Sequence, residues 1–341
     1  MTLSPSASIT LGDFRYDSHG TCLSVTLSLL PGVNSFSIDV PSAATVSCEP
    51  GDPARLNLNG GEGSTTLLVG TVRGVRRGFS RTRVTAADAS ADLASLRSAA
   101  TFIGQAGADV AARLADEAGV SMGDNDLDLP LSAYAADQRR TAAEHVSYLA
   151  GLGGALAVID ADNRLALRRR PSGPADLALR YGRELIACDV RDFAVAAPAV
   201  PIGNGPAGRA DAPDALRPTT TPLPDRATAP GLDARWFAAP VLRTPGVAVA
   251  AAAAYQMTRA GAGRRLRARA FLLPKLRPGM VIEIQSLPDS LADGTWLLTR
   301  VTHRLRAYDA GTTVLDGESL AASTGLPGLR AAAVAAVGSL L

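Results

Sequence analysis

The segment Leu276–Gly317 reads LRPGMVIEIQSLPDSLADGTWLLTRVTHRLRAYDAGTTVLDG, with turn signals separating runs in which apolar and polar residues alternate. Pro278 fixes φ at a corner and Gly279 accepts the positive φ that follows, so a strand can leave over Met280 to Ile284. Asp293-Gly294 marks the next turn. From Thr295 to Leu305 the apolar Trp296, Leu298, Val301 and Leu305 fall between polar residues, with one break of phase at Thr299-Arg300 that predicts a bulge. Asp309-Ala310-Gly311 then turns the chain into Thr312 to Leu315. Such a three-stranded meander buries one face only against another sheet, so it needs a partner.

The rest of the chain supplies candidates. At 341 residues it exceeds the usual single domain, and two or three domains are expected. Charged residues make up 19%, and 34 Lys+Arg against 32 Asp+Glu leave a net charge of +2. That balance gives no electrostatic reason for nucleic acid or an anionic membrane as an obligatory partner, and leaves only local patches. Cys22, Cys48 and Cys188 are odd in number and lack metal or redox spacing, which fits reduced thiols. The N-terminal MTLSPSASITLG lacks the basic-then-apolar pattern of a cleaved signal peptide, and no apolar run is long enough to span a bilayer.

From about Ile9 to Ala87, β-like runs recur at Leu23–Leu29, Ser35–Val40, Thr45–Cys48, Leu56–Leu58, Thr65–Arg73 and Ser80–Ala86. The last two form a hairpin whose basic tip, Arg76 and Arg77, reads as a solvated loop. The texture changes at Asp88. Ser90 or Asp92 is placed to cap a short helix, and a second helix carries Val110, Leu114 and Ala118 on one face before Gly119 stops it. Thr141 and Glu144 have capping-box spacing for a third helix, ended by Gly153-Gly154. Ala155–Ile159 and Arg164–Arg168 then flank a polar hairpin turn. Closely spaced prolines between Pro198 and Pro245 preclude a continuous sheet or helix, leaving a wrapping loop or a linker. An alanine-rich helix over Val247–Met257 and a strand over Arg264–Leu272 lead into the meander.

Three segments taken together resemble the central hub proteins of contractile tails: the phage late control D group, the hub portion of type VI secretion spikes, and the hubs of extracellular contractile injection systems. They are Val69-Gly70-Thr71-Val72 through Val84-Thr85-Ala86-Ala87-Asp88 to Leu93; Gly107–Val120; and Leu276-Arg277-Pro278-Gly279, Gly294-Thr295-Trp296 and Val301-Thr302-His303 in that order. The resemblance covers most of the chain. The proline-rich crossover and the apolar C-terminal tail depart from the pattern, and no spike-like repeat follows.

The resemblance implies an α+β protein with two β-barrel, tube-like domains around an α+β insertion. Its expected units are a first barrel at 1–87, an α+β domain at 88–197, a proline-rich crossover at 198–233, a second barrel at 234–320 and a tail at 321–341. It also implies a homotrimer whose six barrels match a hexameric tail tube or tube initiator on one side and a trimeric spike on the other. Baseplate wedge components are further possible partners. Assembly in a bacterial cytoplasm into a phage or injection-system particle follows, without nucleic-acid recognition or membrane insertion. The alternatives are the hub or distal-tail ring of a non-contractile tail, or a baseplate-associated wall hydrolase.

An enzyme would need a site, and the residues offer none. His19, His145 and His303 lie far apart and outside any metal-binding spacing, and His303 sits inside a predicted strand as a structural residue. The glycines from Gly104 to Gly154 form no phosphate loop. Asp124-Asn125-Asp126-Leu127-Asp128 lacks the glycine and final glutamate of a calcium loop and reads as solvated. Asp116 and Glu117 have no partner at glycosidase-like spacing. No catalytic, cofactor or metal residue is therefore assigned. The apolar run from Leu329 to Leu341 is expected to be buried against its own chain or a partner.

Overall fold

Period-two alternation builds the N-terminal part into strands. The computed structural model describes residues 5–17, 22–193, 199–204, 218–219, 235–239, 241–242, 245–289, 293–306 and 311–320. Its first strands are β1 (Ser6–Leu11), β2 (Phe14–Asp17), β3 (Cys22–Ser28), β4 (Ser35–Pro41), β5 (Pro53–Asn59), β6 (Ser64–Arg77) and β7 (Arg81–Ala87). Inward-facing Ile9, Leu11, Val25, Phe36, Ile38, Leu56 and Val84 are almost completely buried in one core. The strand expected at Thr45–Cys48 does not form: this stretch is irregular, yet Val46 and Cys48 still fill that core. The strands on either side of it in sequence are already paired on both edges, β4 with β3 and β7 and β5 with β1 and β6. β1 was not among the runs read from the sequence, since serines and Ala7 dilute its hydrophobic signal.

The middle of the chain holds α1 (Ser90–Ser95), β8 (Ala100–Ile103), α2 (Gly107–Glu117), β9 (Met122–Asn125), β10 (Ala133–Ala136), α3 (Ala142–Leu152), β11 (Ala155–Ile159) and β12 (Leu165–Arg169). α3 opens with the expected capping box, Thr141 N–H donating to Glu144 at 2.7 Å and Glu144 N–H to Thr141 Oγ1 at 3.3 Å. α2 buries Val110, Ala111, Leu114 and Ala115, and Gly119 takes φ +71° behind it. Neither Ser90 nor Asp92 caps α1. Ala89 occupies the N-cap, and the Asp88 carboxylate receives the Ser90 N–H instead.

The last part contributes β13 (Leu177–Arg180), β14 (Leu185–Asp192), β15 (Ala199–Asn204), β16 (Pro218–Thr219), β17 (Arg235–Ala239), α4 (Pro245–Ala262), β18 (Arg264–Phe271), β19 (Val281–Gln285), β20 (Gly294–Leu305) and β21 (Thr312–Ser319). The proline-rich crossover carries short strands after all, because β15 pairs in parallel with β17 and antiparallel with β16. Its remaining residues, His19, Asp309, Ala310 and the tail at 321–341 lie outside the described residues.

One 13-stranded sheet dominates, running β14-β18-β21-β20-β3-β4-β7-β6-β5-β1-β2, with β19 and β13 branching from β20. The chain is thus mostly β-sheet with few helices. β13 pairs with β19 and β14 with β18, so these two strands join the C-terminal sheet and not the α+β segment they follow. Leu179 and Leu185 accordingly lie in the C-terminal core with Trp296, Leu298 and Val301. α4 leans on the α+β segment through Ala248 and Ala251.

Candidate functional site: the junction of the two β regions

β20 is where the sheet becomes continuous. One of its edges pairs with β21 along most of its length. The other is shared: Gly294 to Leu297 pair with β19, and Arg300 to Leu305 pair with β3. The register on the β21 side slips between Leu298 and Arg300, the bulge that Thr299-Arg300 predicted. The bulge lies between the two halves of the shared edge. Thr299 C=O accepts the Leu29 N–H at 3.0 Å, extending the seam by one bond, and the Thr26 and Thr302 hydroxyls meet across it at 3.2 Å.

A second tie comes from the Arg277-Pro278-Gly279 turn. Gly279 takes φ +88°, as that corner requires, and its N–H donates to Leu298 C=O at 2.8 Å. Arg277 points the other way, into the N-terminal sheet. Between the pairs Leu56–Leu68 and Asn57–Thr66, β6 carries one extra residue, Leu67. Such a bulge leaves carbonyls without ladder partners. The Arg277 guanidinium supplies them, donating through Nη1 to Leu67 C=O at 3.1 Å and through Nη2 to Thr66 C=O. Burial pulls the Arg277 pKa below the ordinary guanidinium value, against the pull of the Asp160 and Asp88 charges.

Around this clamp lies a cavity of about 500 Å³, with Leu27, Asn34, Asp88, Leu156, Asp160 and Arg277 among its lining residues. Asn34 and Asp88 form its hydrogen-bonded wall. Asn34 Oδ1 accepts from Ser28 N–H at 2.7 Å, and Asn34 Nδ2 donates to Asp88 Oδ2 at 2.7 Å. Asp88 Oδ1 accepts from Ser90 N–H at 2.9 Å and from the Ser90 hydroxyl at 2.5 Å, while Ser90 Oγ accepts from Asn34 N–H at 2.8 Å. Burial raises the Asp88 pKa, and its bonds to Ser90 and Asn34 oppose that rise. The network fixes the β3–β4 turn to the start of α1.

The same turn is held from the α+β side. Leu30 N–H donates to Ala157 C=O at 2.9 Å, and Ser147 Oγ donates to Leu30 C=O at 2.9 Å. Arg170, just beyond β12, reaches Glu318 of β21 at 2.5 Å with both side chains mostly buried. Three segments distant in sequence thus converge on one junction. Leu272 and Leu305 from the C-terminal region complete the N-terminal core, and an added Cβ on Gly60 would lie 2.6 Å from Leu272 C=O.

The two described histidines, His145 and His303, are buried and hydrogen-bonded. His303 is fully buried, with Nδ1 3.0 Å from Thr313 Oγ1, and burial first and the Arg277 charge second push its pKa down to about 3. His145 on α3 lies 2.6 Å through Nδ1 from the buried Tyr134 hydroxyl, and its Nε2 is 3.0 Å from Asp137 C=O. Burial drives the Tyr134 pKa upward. Asp124 meets Arg168 at 3.4 Å in an exposed pair, and Glu117 accepts the Ser98 hydroxyl at 2.7 Å. Among the described residues no group of three or more His, Cys, Asp or Glu side chains is arranged to hold a metal.

No family model and no curated protein matches the sequence. Solved structures do. A tail protein from Neisseria meningitidis MC58 superposes with a TM-score of 0.71 at 13% identity, over 93% of this chain and 97% of that one. The 43 kDa tail protein of prophage MuSo2 from Shewanella oneidensis gives 0.63 at 15% identity, over 92% and 97%. An E. coli type VI secretion component, itself similar in structure to T4 bacteriophage tail proteins, gives 0.59 at 10% identity, over 89% and 74%.

The fold is that of phage tail proteins. Sequence reasoning found the Arg277 turn and the β20 bulge but not their partners. Thr66 and Leu67 carried no signal of an unpaired carbonyl, Asn34 carried none either, and Ser90 was placed only as a helix cap.

Proposed function

We propose that the protein is the baseplate hub of a contractile phage tail or contractile injection system, a homotrimeric adaptor between a hexameric tail tube and a trimeric spike. The observation that carries this reading is the β20–β3 seam, through which one chain lays two β regions side by side in a single sheet. Three copies of such a chain present six β units to a sixfold tube and threefold symmetry to a spike. The tail-protein fold supports the same reading, as does its likeness to a type VI secretion component. In this proposal residues 1–87 form one tube-like unit and 234–320, joined by β13 and β14, the other. The α+β segment between them braces the junction. The role is structural, performed in a particle assembled in the bacterial cytoplasm. Native mass measurement of the purified protein, alone and with its spike, tests it. A trimer is expected; a hexamer would indicate a tube or ring protein, and a stable monomer with hydrolytic activity would overturn the proposal.

A further inference from the structure

Net charge hides an asymmetry that the sheet register creates. On β18 the residues alternate, so that Leu266, Ala268 and Ala270 are buried while Arg265, Arg267 and Arg269 are exposed on one face. Two strands away in the sheet, β20 exposes Arg300 and Arg304 on the same side, because Arg300 lies opposite Asp316 and Asp316 opposite Arg267. Beyond the seam, β7 exposes Arg81 and Arg83, with Arg76 of β6 in register beside Arg83. The hairpin tip that looked like a solvated loop is therefore one end of a row of arginines.

Acidic side chains on the face offset only part of this row. Asp39 is committed to Arg83 at 2.6 Å, and Asp316 stands 3.9 Å from Arg267. Asp189 pairs with Arg191 at the β14 margin, and Glu318 with Arg170. Arg269, Arg300 and Arg304 have no ion pair among the described residues. Across the seam the face is floored by hydroxyls, Thr302 opposite Thr26 and Arg304 opposite Ser24, which in turn lies opposite Ser37, while β21 places Val314, Asp316 and Glu318 between the arginines of β18 and β20. The exposed Phe271 sits at the end of β18, the fully exposed Phe79 at the β6–β7 tip, and Phe193 lies 5.7 Å beneath Arg265, so the aromatics lie at the margins and the central rows offer none.

We propose that this face binds the phosphate backbone of a nucleic-acid duplex without reading its sequence. Arginines interleaved with Ser and Thr hydroxyls are the side chains that contact phosphate oxygens. The lack of a central aromatic argues against a protein hot spot and against base stacking on single strands. From β18 to β7 the sheet crosses five strand spacings, about 24 Å. A duplex of that length carries roughly fourteen phosphates. The inference rests on the face alone and stands or falls independently of the hub reading.

The test uses the full-length protein and a short mixed-sequence DNA duplex, with binding followed by fluorescence anisotropy across salt concentrations. About five phosphate contacts predict a loss of affinity of roughly 500-fold between about 50 and 200 mM salt. The variant R269Q/R300Q/R304Q is expected to bind at least tenfold more weakly at low salt and to lower the salt slope by about 2.7, near 0.9 per contact. A charge-matched control, R113Q/R139Q/R168Q in the α+β segment, should retain wild-type binding. R269Q alone, expected to lower the slope by about 0.9, gives the same reading should the triple variant misfold. No binding at low salt, an unchanged slope in these variants, or equal binding to polyglutamate of matched charge would overturn the proposal.

Discussion

Replacing Arg277 by methionine keeps the length of the side chain and removes its donors, which isolates the clamp between the β regions. Two charge-assisted hydrogen bonds, to Leu67 and Thr66 carbonyls, are lost. Each contributes about 1.5–3 kcal/mol, and the carbonyls of the β6 bulge are left without a replacement donor. Part of that loss is returned, since burying the guanidinium carries a desolvation cost that already lowers its pKa. The net expectation is a destabilisation of about 2–4 kcal/mol. Urea unfolding followed by the fluorescence of the fully buried Trp296 measures it as a shift of the midpoint. Arg277→Lys, with a point charge but no planar fork, should recover about half of the loss. If Arg277→Met unfolds within about 0.5 kcal/mol of wild type, the range of a neutral surface substitution, the clamp does not hold the regions together.

Two further outcomes follow from the same junction. Asp88→Asn turns an amide N–H₂ toward that of Asn34, and Asn34→Asp places two carboxylates face to face, so each should cost about 1–3 kcal/mol. The double variant restores one donor against one acceptor and should recover at least half of the summed loss in a double-mutant cycle; additive losses would refute the pairing. His303 has a folded-state pKa of about 3 against an ordinary 6.5, so the unfolded chain takes up the proton first. Its contribution is intact above about pH 6.5 and is lost as pH falls toward about 3, by up to about 1.4 kcal/mol per pH unit. Unfolding free energies between neutral pH and about pH 4 should show this loss in wild type and not in His303→Gln, and matching profiles would assign it to another group.

Most local structure was legible because it depends on neighbours in sequence. The Thr141–Glu144 cap, the Gly119 stop, the alternation of β18 and the bulge in β20 all follow from spacing within a few residues. Thr45–Cys48 and the caps of α1 failed for the complementary reason. A run of β-forming residues becomes a strand only where an edge is free to pair, and Ser90 serves Asp88 and Asn34 in place of its own helix. β13 and β14 follow the α+β segment in the chain but pair with later strands, a placement that no local spacing signals.

By itself, the sequence determined two β-rich regions, an α+β segment between them and a meander with an unsatisfied face, because alternation and turn chemistry are local properties. Tertiary structure alone decided what met that meander: β3, distant in the chain, paired with the second half of β20, while Arg277 closed the bulge of β6. It also decided the charge of the sheet face. A net charge of +2 says nothing of register, whereas strand pairing places arginines from β18, β20 and β7 on one surface. Side chains two residues apart share a face by local geometry; which strands lie beside one another is set only by long-range packing.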